Sequence, residues 1–343
     1  MKKGILLVNI GSPDSPSVPD VRRYLREFLS DKRVIDASYL MRKFIVEVLI
    51  LPKRPKFSAE AYRKIWWEKG SPLIVISQQL KRAISERLSV PVSLGMRYGH
   101  PSILSGLEEL YMQQVREVLV FPLYPQFAMS TSESVMVKTF RVGRRHFKDM
   151  KVVFFPPFFQ FRNYISALGE SIALGLTQGV DHLLFSYHGV PKRHIYETDL
   201  AGHCRINDCC FRSMSESHSR CYRYQCYETT RRTAEWYGLP LGQYSISFQS
   251  RLGNDPWLKP YTDKTLEVLG KSGVKNLAVV APSFTTDCLE TLEELAMGGR
   301  DIFLRSGGEF FTYIPCLNIQ EAWVTALSNW CKIWLSEKVV FKL

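Results

Sequence analysis

Short apolar, β-rich runs alternate with amphipathic stretches along most of the 343 residues. The runs predict seven strands, over 4–9, 92–96, 117–121, 151–155, 181–186, 244–248 and 276–281. The stretches between them predict helices over 18–29, 73–88, 101–114, 132–145, 164–176, 227–236, 263–271, 287–297 and 320–336. Strands that alternate with helices are the mark of βαβ units and a parallel sheet, so the fold class is α/β. A faint internal echo accompanies the pattern. Leu6-Leu7-Val8-Asn9-Ile10-Gly11-Ser12-Pro13 resembles Leu184-Phe185-Ser186-Tyr187-His188-Gly189-Val190-Pro191, and the run into Pro122 resembles the run into Pro282. Two similar α/β lobes around a ligand cleft are therefore expected.

Length agrees with this picture, since 343 residues can bury two domain cores or one large α/β unit. No apolar run reaches the roughly 20 residues that span a bilayer, and the start, Met1-Lys2-Lys3 and a short apolar run, does not read as a signal peptide. A soluble cytoplasmic protein is expected. The net charge of +12 suits several anionic partners and does not choose among them. Its placement is more telling: the apolar stretch 40–51 runs directly into Lys53, Arg54 and Lys56. That composition fits a surface that meets lipid or an amphiphilic ligand, and it fits equally a buried helix followed by a solvated basic loop; a peripheral place at the inner membrane face is the localisation this allows. No nucleic-acid partner is expected.

Polar and aromatic groups collect at the predicted strand ends: Asn9, Tyr124-Pro125-Gln126, His188, Gln249-Ser250-Arg251 and the segment 287–294. In a parallel sheet these ends share one edge, where ligands bind. His188 can accept a proton or ligate a metal near neutral pH, although a lone histidine before glycine is more often a turn residue. Asp287, Glu290 and Glu294 share one face of a helix that starts near Asp287, where their mutual repulsion favours a cation or proton. Asp287 and Glu290 also fit a reciprocal helix cap; Glu294 does not. No nucleophile elbow surrounds Ser186, and no Walker loop or Gly-x-Gly-x-x-Gly follows the first strand, so neither serine hydrolysis nor nucleotide chemistry has support.

Five of the eight cysteines, Cys204, Cys209, Cys210, Cys221 and Cys226, fall within 204–226. Paired thiolates at short spacing can hold zinc or an iron–sulfur cluster, and the four-residue gaps favour iron–sulfur over a zinc ribbon. Cys288, Cys316 and Cys331 sit in apolar patterns and read as core residues.

At these residues the chain resembles the ferrochelatase family. The matching segments are Leu7-Val8-Asn9-Ile10-Gly11-Ser12-Pro13, Gly70-Ser71-Pro72-Leu73, Gly95-Met96-Arg97-Tyr98-Gly99-His100-Pro101, Phe121-Pro122-Leu123-Tyr124-Pro125-Gln126, Ser186-Tyr187-His188-Gly189-Val190-Pro191, Phe248-Gln249-Ser250-Arg251-Leu252-Gly253 with Pro256-Trp257-Leu258, and Asp287-Cys288-Leu289-Glu290 through Glu294. They occur in family order from about residue 5 to 300. The resemblance implies a chelatase fold: two Rossmann-like domains, 1–165 with a porphyrin lip near 40–72 and 166–310 with the cysteine insertion near 200–226, around a porphyrin cleft. It implies that 311–343 is a C-terminal helix packing back on the first domain. It also implies iron insertion into protoporphyrin, with Fe(II) and porphyrin as substrates and two protons released. His188 and Glu290 become the catalytic and iron-handling pair, with Glu294 and Asp287 as relay and Ile10, Arg54, Tyr62, Ser71 and Tyr124 as porphyrin contacts. The apolar lip implies peripheral membrane contact.

Two departures stand out. Cys288 occupies a position that is histidine in some relatives, and the tail ends without the cysteine triplet of relatives that carry a C-terminal two-iron cluster. The internal group resembles an alternative arrangement in some bacterial members, which implies a 2Fe–2S cluster held by four of the five cysteines. The competing readings are a chelatase for coproporphyrin or another tetrapyrrole, and a non-catalytic haem or iron–sulfur protein on the same fold.

Overall fold

All seven predicted strands form, and an eighth, Phe310–Ile314, lies outside the prediction. The computed structural model describes residues 1–176, 179–212, 215–251, 253 and 255–336; Leu252 of the matched segments and residues 337–343 of the predicted C-terminal segment lie outside these. The chain divides into two units: Met1–Leu123, Met129–Pro156 and the chain from Val324 in one, Tyr124–Ala128 and Pro157–Trp323 in the other. The boundary therefore falls at 156/157 rather than 165/166.

In the first unit, β1 (Lys3–Asn9), β2 (Val92–Met96), β3 (Glu117–Pro122) and β4 (Lys151–Phe154) form a parallel sheet in the order β2-β1-β3-β4. Six of the seven β1 residues are buried, as expected of a parallel strand covered on both faces. The helix Val18–Leu29 begins on Ser17, whose side chain accepts from the Asp20 N–H at 3.3 Å. Between them the chain turns at Gly11, with φ of +107°; an added Cβ there would lie 1.8 Å from the Tyr98 carbonyl oxygen. The loops after β1 and β2 are thereby held in contact, and the Tyr98 N–H donates to the Ile10 carbonyl at 2.9 Å. Near the end of β3, Phe121 stacks on Phe155 with centroids 4.1 Å apart, and Trp330 of the helix Glu321–Leu335 stacks on Phe155 at 5.4 Å. That helix meets the sheet through Trp330 and Trp334, and Lys3 Nζ sits 4.9 Å over the Trp334 ring.

The stretch 39–65, which the periodicity leaves unassigned, is helical almost throughout: Tyr39–Phe44, a π-helix Ile45–Ile50, and Arg54–Ile65. Tyr39, Leu40, Phe44, Val48, Leu49 and Phe57 are all more than half exposed. The alternative of a buried helix is thus set aside for this segment: its apolar side chains mostly face outward, which is why a core-seeking periodicity fails to find it.

The second unit repeats the topology. Strands β5 (His182–His188), β6 (Tyr244–Gln249), β7 (Asn276–Val280) and β8 (Phe310–Ile314) are parallel in the order β6-β5-β7-β8. β5 and β7 take the central places that β1 and β3 hold in the first unit, so the internal echo corresponds to equivalent strands. Leu184, Leu277, Val279, Ala281, Leu295 and Phe303 pack one core face. β8 is an edge strand with Phe310 two-thirds exposed, and its half-polar surroundings hide it from a search for apolar runs. It belongs to this sheet and not to the predicted C-terminal helical segment. The helix predicted over 227–236 starts five residues earlier, spanning Tyr222–Tyr237 with Cys221 as its N-cap.

Candidate active site

Ligands of an open parallel sheet sit outside the carboxyl ends of its strands, at the point where successive connections leave in opposite directions. In the second unit this point lies between β5 and β7, and His188 is the last residue of β5. Its backbone N–H donates to Ser283 Oγ at 2.9 Å, which ties it to the loop after β7. Its ring Nδ1 lies 2.6 Å from the Gly189 carbonyl oxygen. A carbonyl oxygen can only accept, so Nδ1 carries a proton, and in the neutral ring it is Nε2 that presents the lone pair. Trp257 and Phe284 flank the ring, with centroids 6.5 and 6.1 Å away.

After β7 the chain enters a π-helix, Glu290–Gly299, where an α-helix over 287–297 is predicted. The wider turn keeps Thr291, Leu295 and Gly299, four residues apart, on the buried side, and places Glu290 and Glu294 together one residue earlier. Such turns are often found at functional sites. Gln249, the last residue of β6, donates from Nε2 to the Glu290 carbonyl at 3.0 Å and accepts from Ser186 Oγ at 2.8 Å, fixing the start of the helix. Ser250, with φ of +64°, donates to Glu294 through both its N–H, at 2.9 Å, and its hydroxyl, at 2.5 Å. Burial raises the Glu294 carboxyl above its ordinary value, the Ser250 hydroxyl and the His188 charge oppose this, and Glu290 reinforces it. His188, Glu290 and Glu294 thus sense one another. A carboxyl with a raised folded pKa stabilises the fold below its unfolded pKa, and that contribution is lost as pH rises through the folded value. Glu294→Gln keeps the Ser250 contacts and removes the buried charge, so its melting temperature relative to wild type should climb between pH 4 and pH 8; thermal melts at the two pH values measure this, and a constant offset would contradict it.

Asp287 does not join this group. Its oxygens accept from Tyr313 Oη at 2.7 Å, Thr291 Oγ1 at 3.0 Å and Asn318 Nδ2 at 2.6 Å. These bonds anchor the β7 loop to β8 and the chain after it; the carboxylate is 5 % exposed. The expectation that Asp287, Glu290 and Glu294 share one face is corrected accordingly, because an α-helix does not begin at Asp287 and its partners come from across the sheet. The reciprocal cap between Asp287 and Glu290 is absent from the Asp287 contacts for the same reason. Cys288 is fully buried and its thiol is pushed well up by burial.

Of the other expected contacts, Ile10, Arg54, Tyr62 and Ser71 lie in the first unit. Ile10 follows β1, Arg54 is exposed at the start of its helix, Tyr62 is buried with its ring edge-on to Trp66, and Ser71 is the buried N-cap of the helix Pro72–Ser85. Tyr124 is in the second unit, in a segment held by Phe127 N–H donating to Gln225 Oε1 at 2.7 Å and Gln126 Nε2 donating to Thr229 Oγ1 at 3.1 Å.

The cysteine group separates into four and one. Cys204 and Cys209 sulfurs are 3.9 Å apart, and the neighbouring Cys221 thiol favours the thiolates of Cys204 and Cys210, which are lowered to about 6 and about 7, while its own proton is held more tightly. Arg223 Nη1 donates to Cys210 Sγ at 3.2 Å. Cys226 lies in the helix, fully buried, with its thiol pushed well up by burial. Among the described residues no group of three or more His, Cys, Asp or Glu is arranged to hold a metal ion. A cavity of about 590 Å³ opens beside Cys210, lined by Phe211, His218, Tyr224 and Tyr227 among others, but not by His188 or the glutamates.

Two parallel sheets of one topology, the second carrying a histidine and paired glutamates at its switch point, have the fold of the chelatases. SirB from Bacillus subtilis with Fe3+ matches at a TM-score of 0.55 with 11% identity, covering 97% of this chain and 95% of that one, and the sirohydrochlorin chelatase SirB from Bacillus subtilis subspecies spizizenii in complex with cobalt matches equally well. The ferrochelatase family profile matches residues 2–333. Ferrochelatase of Opitutus terrae is 47% identical over 338 residues, covering 97% of this chain and 98% of its own, and that of Pseudomonas fluorescens is 48% identical over 331 residues, covering 96% and 97%. This chain belongs to the ferrochelatase family, enzymes that insert iron into a porphyrin.

Ser250 is among the strand-end groups that sequence reasoning names, whereas Ser283 and Tyr222 are neighbours of the site that it does not single out. Their strand-end or helix-start positions were the only available signal.

Proposed function

We propose that the chain inserts Fe(II) into protoporphyrin IX, with His188 taking up the pyrrole protons and Glu290 handling the iron. The reading rests on one observation above all: the His188 Nδ1 proton is committed to the Gly189 carbonyl, which leaves Nε2 as the ring nitrogen able to accept a proton, in a site where Glu294 feels the charges of both His188 and Glu290. Two N–H protons must leave the macrocycle as the metal enters; a neutral imidazole accepts one at a time, so His188 takes up the first and passes it through the carboxylates to solvent before taking up the second, while the carboxylates balance the dication's charge. Glu294, buried and braced by Ser250, carries charge onward from Glu290. Asp287 has no part in the relay, since its oxygens are engaged in the anchor to β8. Ile10, Arg54, Tyr62, Ser71 and Tyr124 are proposed porphyrin contacts, with Arg54 meeting a propionate. The test is anaerobic incubation with Fe(II) and porphyrin, followed by the porphyrin spectrum. Protoporphyrin should be consumed faster than coproporphyrin, and Glu290→Gln should lower kcat by about 100-fold; faster coproporphyrin turnover would reassign the substrate, and no turnover would remove the activity.

We propose a 2Fe–2S cluster on Cys204, Cys209, Cys210 and Cys221 from donor chemistry alone: four buried thiols, two of them favoured as thiolates and one beside Arg223, although the described residues are not arranged around a metal site. Cys226 is the spare. Such a cluster supplies one-electron redox chemistry when bound, and the insertion steps above do not run through it. Protein purified anaerobically should contain about two iron and two acid-labile sulfide per chain, retained in Cys226→Ser and lost in Cys210→Ser; zinc without sulfide would overturn this assignment. No helix among the described residues is long and apolar enough to cross a membrane. The exposed apolar side chains of 39–57, with Arg42, Lys43, Lys53 and Lys56 among them, support peripheral contact with an anionic lipid surface.

A further inference from the structure

The helix Tyr222–Tyr237 begins where the cysteine group ends. Cys221 is its N-cap, with Sγ accepting from the Tyr224 N–H at 3.5 Å, and the next residue, Tyr222, is a buried tyrosine whose hydroxyl donates to the His188 carbonyl at 2.7 Å. That carbonyl belongs to the His188–Gly189 peptide, whose N–H donates to the Gln249 carbonyl at 2.8 Å. The peptide plane is thus pinned on both sides, by the sheet through Gln249 and by the helix through Tyr222. The Gly189 carbonyl, which holds the proton on His188 Nδ1, belongs to the next peptide and swings from the Gly189 Cα that this pinned plane positions.

We infer that Tyr222 is a positioning residue that keeps His188 in the Nδ1–H tautomer and makes this tautomer responsive to the state of the cysteine group through Cys221. The inference rests on His188 as the proton acceptor. Any change that moves the Cys221 sulfur, whether ligation or oxidation, acts on the first turn of the helix, one residue from the hydroxyl that braces the peptide. Without that hydroxyl the buried carbonyl loses its donor and the plane is free to rotate, a loss that a buried acceptor does not tolerate well. The histidine then samples the Nε2–H tautomer, which has no lone pair to offer on Nε2.

The test is Tyr222→Phe, which removes one hydroxyl and keeps the ring. We expect kcat for iron insertion to fall about tenfold with KM for porphyrin unchanged, and the nitrogen NMR signals of the His188 imidazole to move from the Nδ1–H pattern toward a tautomer mixture. Cys221→Ser should shift the same signals in the same direction, and the double variant should equal Tyr222→Phe, not the product of the two effects. Unchanged His188 signals in Tyr222→Phe, or multiplicative effects in the double variant, would overturn the coupling. The NMR measurement needs no turnover, so it remains decisive if iron insertion itself is not observed. Should Tyr222→Phe fail to fold, Ser283→Ala, which releases the His188 N–H but not its carbonyl, supplies the comparison: it should leave the tautomer signals in place, and a tautomer mixture there would overturn the role of the carbonyl brace.

Discussion

His188→Ala should lower kcat for Fe(II) insertion by about 1,000-fold while porphyrin binding is kept. The size follows from the role: a positioned general base contributes about 10² to 10⁴ in rate, and His188 is the imidazole whose proton is committed elsewhere so that Nε2 can accept. Glu290 and Glu294 remain in the variant, but Glu294 is bonded to the Ser250 N–H and hydroxyl and Glu290 is assigned to the iron, so neither takes over from the imidazole. Stopped-flow absorbance of the porphyrin under anaerobic conditions measures the rate, and fluorescence quenching on porphyrin binding checks that the site is intact. A rate within threefold of wild type, with binding retained, would move the proton acceptor to another group.

The largest effect on the fold should come from Gly11→Ala. The φ of +107° is strained for any L side chain, and the new Cβ would fall 1.8 Å from the Tyr98 carbonyl oxygen, which is backbone and has no side-chain freedom to yield. A loss of about 4 kcal/mol or more is expected, the range reached only by a few mechanisms such as forced backbone displacement. Gly70 gives the control. Its φ of +116° is similar, yet nothing lies within 4 Å of an added Cβ, so Gly70→Ala should cost only the conformational part, about 1–2 kcal/mol. Urea denaturation of the three proteins separates the two contributions; equal losses in both variants would mean that the contact with Tyr98 relaxes without cost.

Much of this architecture was legible in the chain because parallel strands buried on both faces leave apolar runs that no loop imitates. Val18–Leu29 coincides with its predicted bounds, since Ser17 caps it and Leu29 closes its buried stripe. The outward-facing helical stretch between Tyr39 and Ile50 and the edge strand β8 escaped, because their side chains mostly answer to solvent or to a single neighbour; Arg54–Ile65 buries only the stripe Pro55, Ala59, Tyr62 and Ile65, half of it proline and tyrosine. At the site, His188 and Glu290 could be singled out by position at strand ends and by family resemblance. The same reading grouped Asp287 with the glutamates, and it could not tell which cysteine stands apart.

The sequence by itself determined two parallel α/β sheets, the strand ends that carry the chemistry, and the residue types able to exchange protons and handle iron. Those depend on burial patterns and side-chain chemistry that are local properties of the chain. Tertiary structure decided what each group is bonded to: the bracing of Glu294 by Ser250, the capture of Asp287 by Tyr313 and Asn318, the Gly189 carbonyl that holds the His188 Nδ1 proton, and the separation of Cys226 from the other four. Each of these is a contact between residues distant in sequence or a backbone orientation fixed by such contacts, and hydrogen bonds depend on distances and angles that a linear order does not contain.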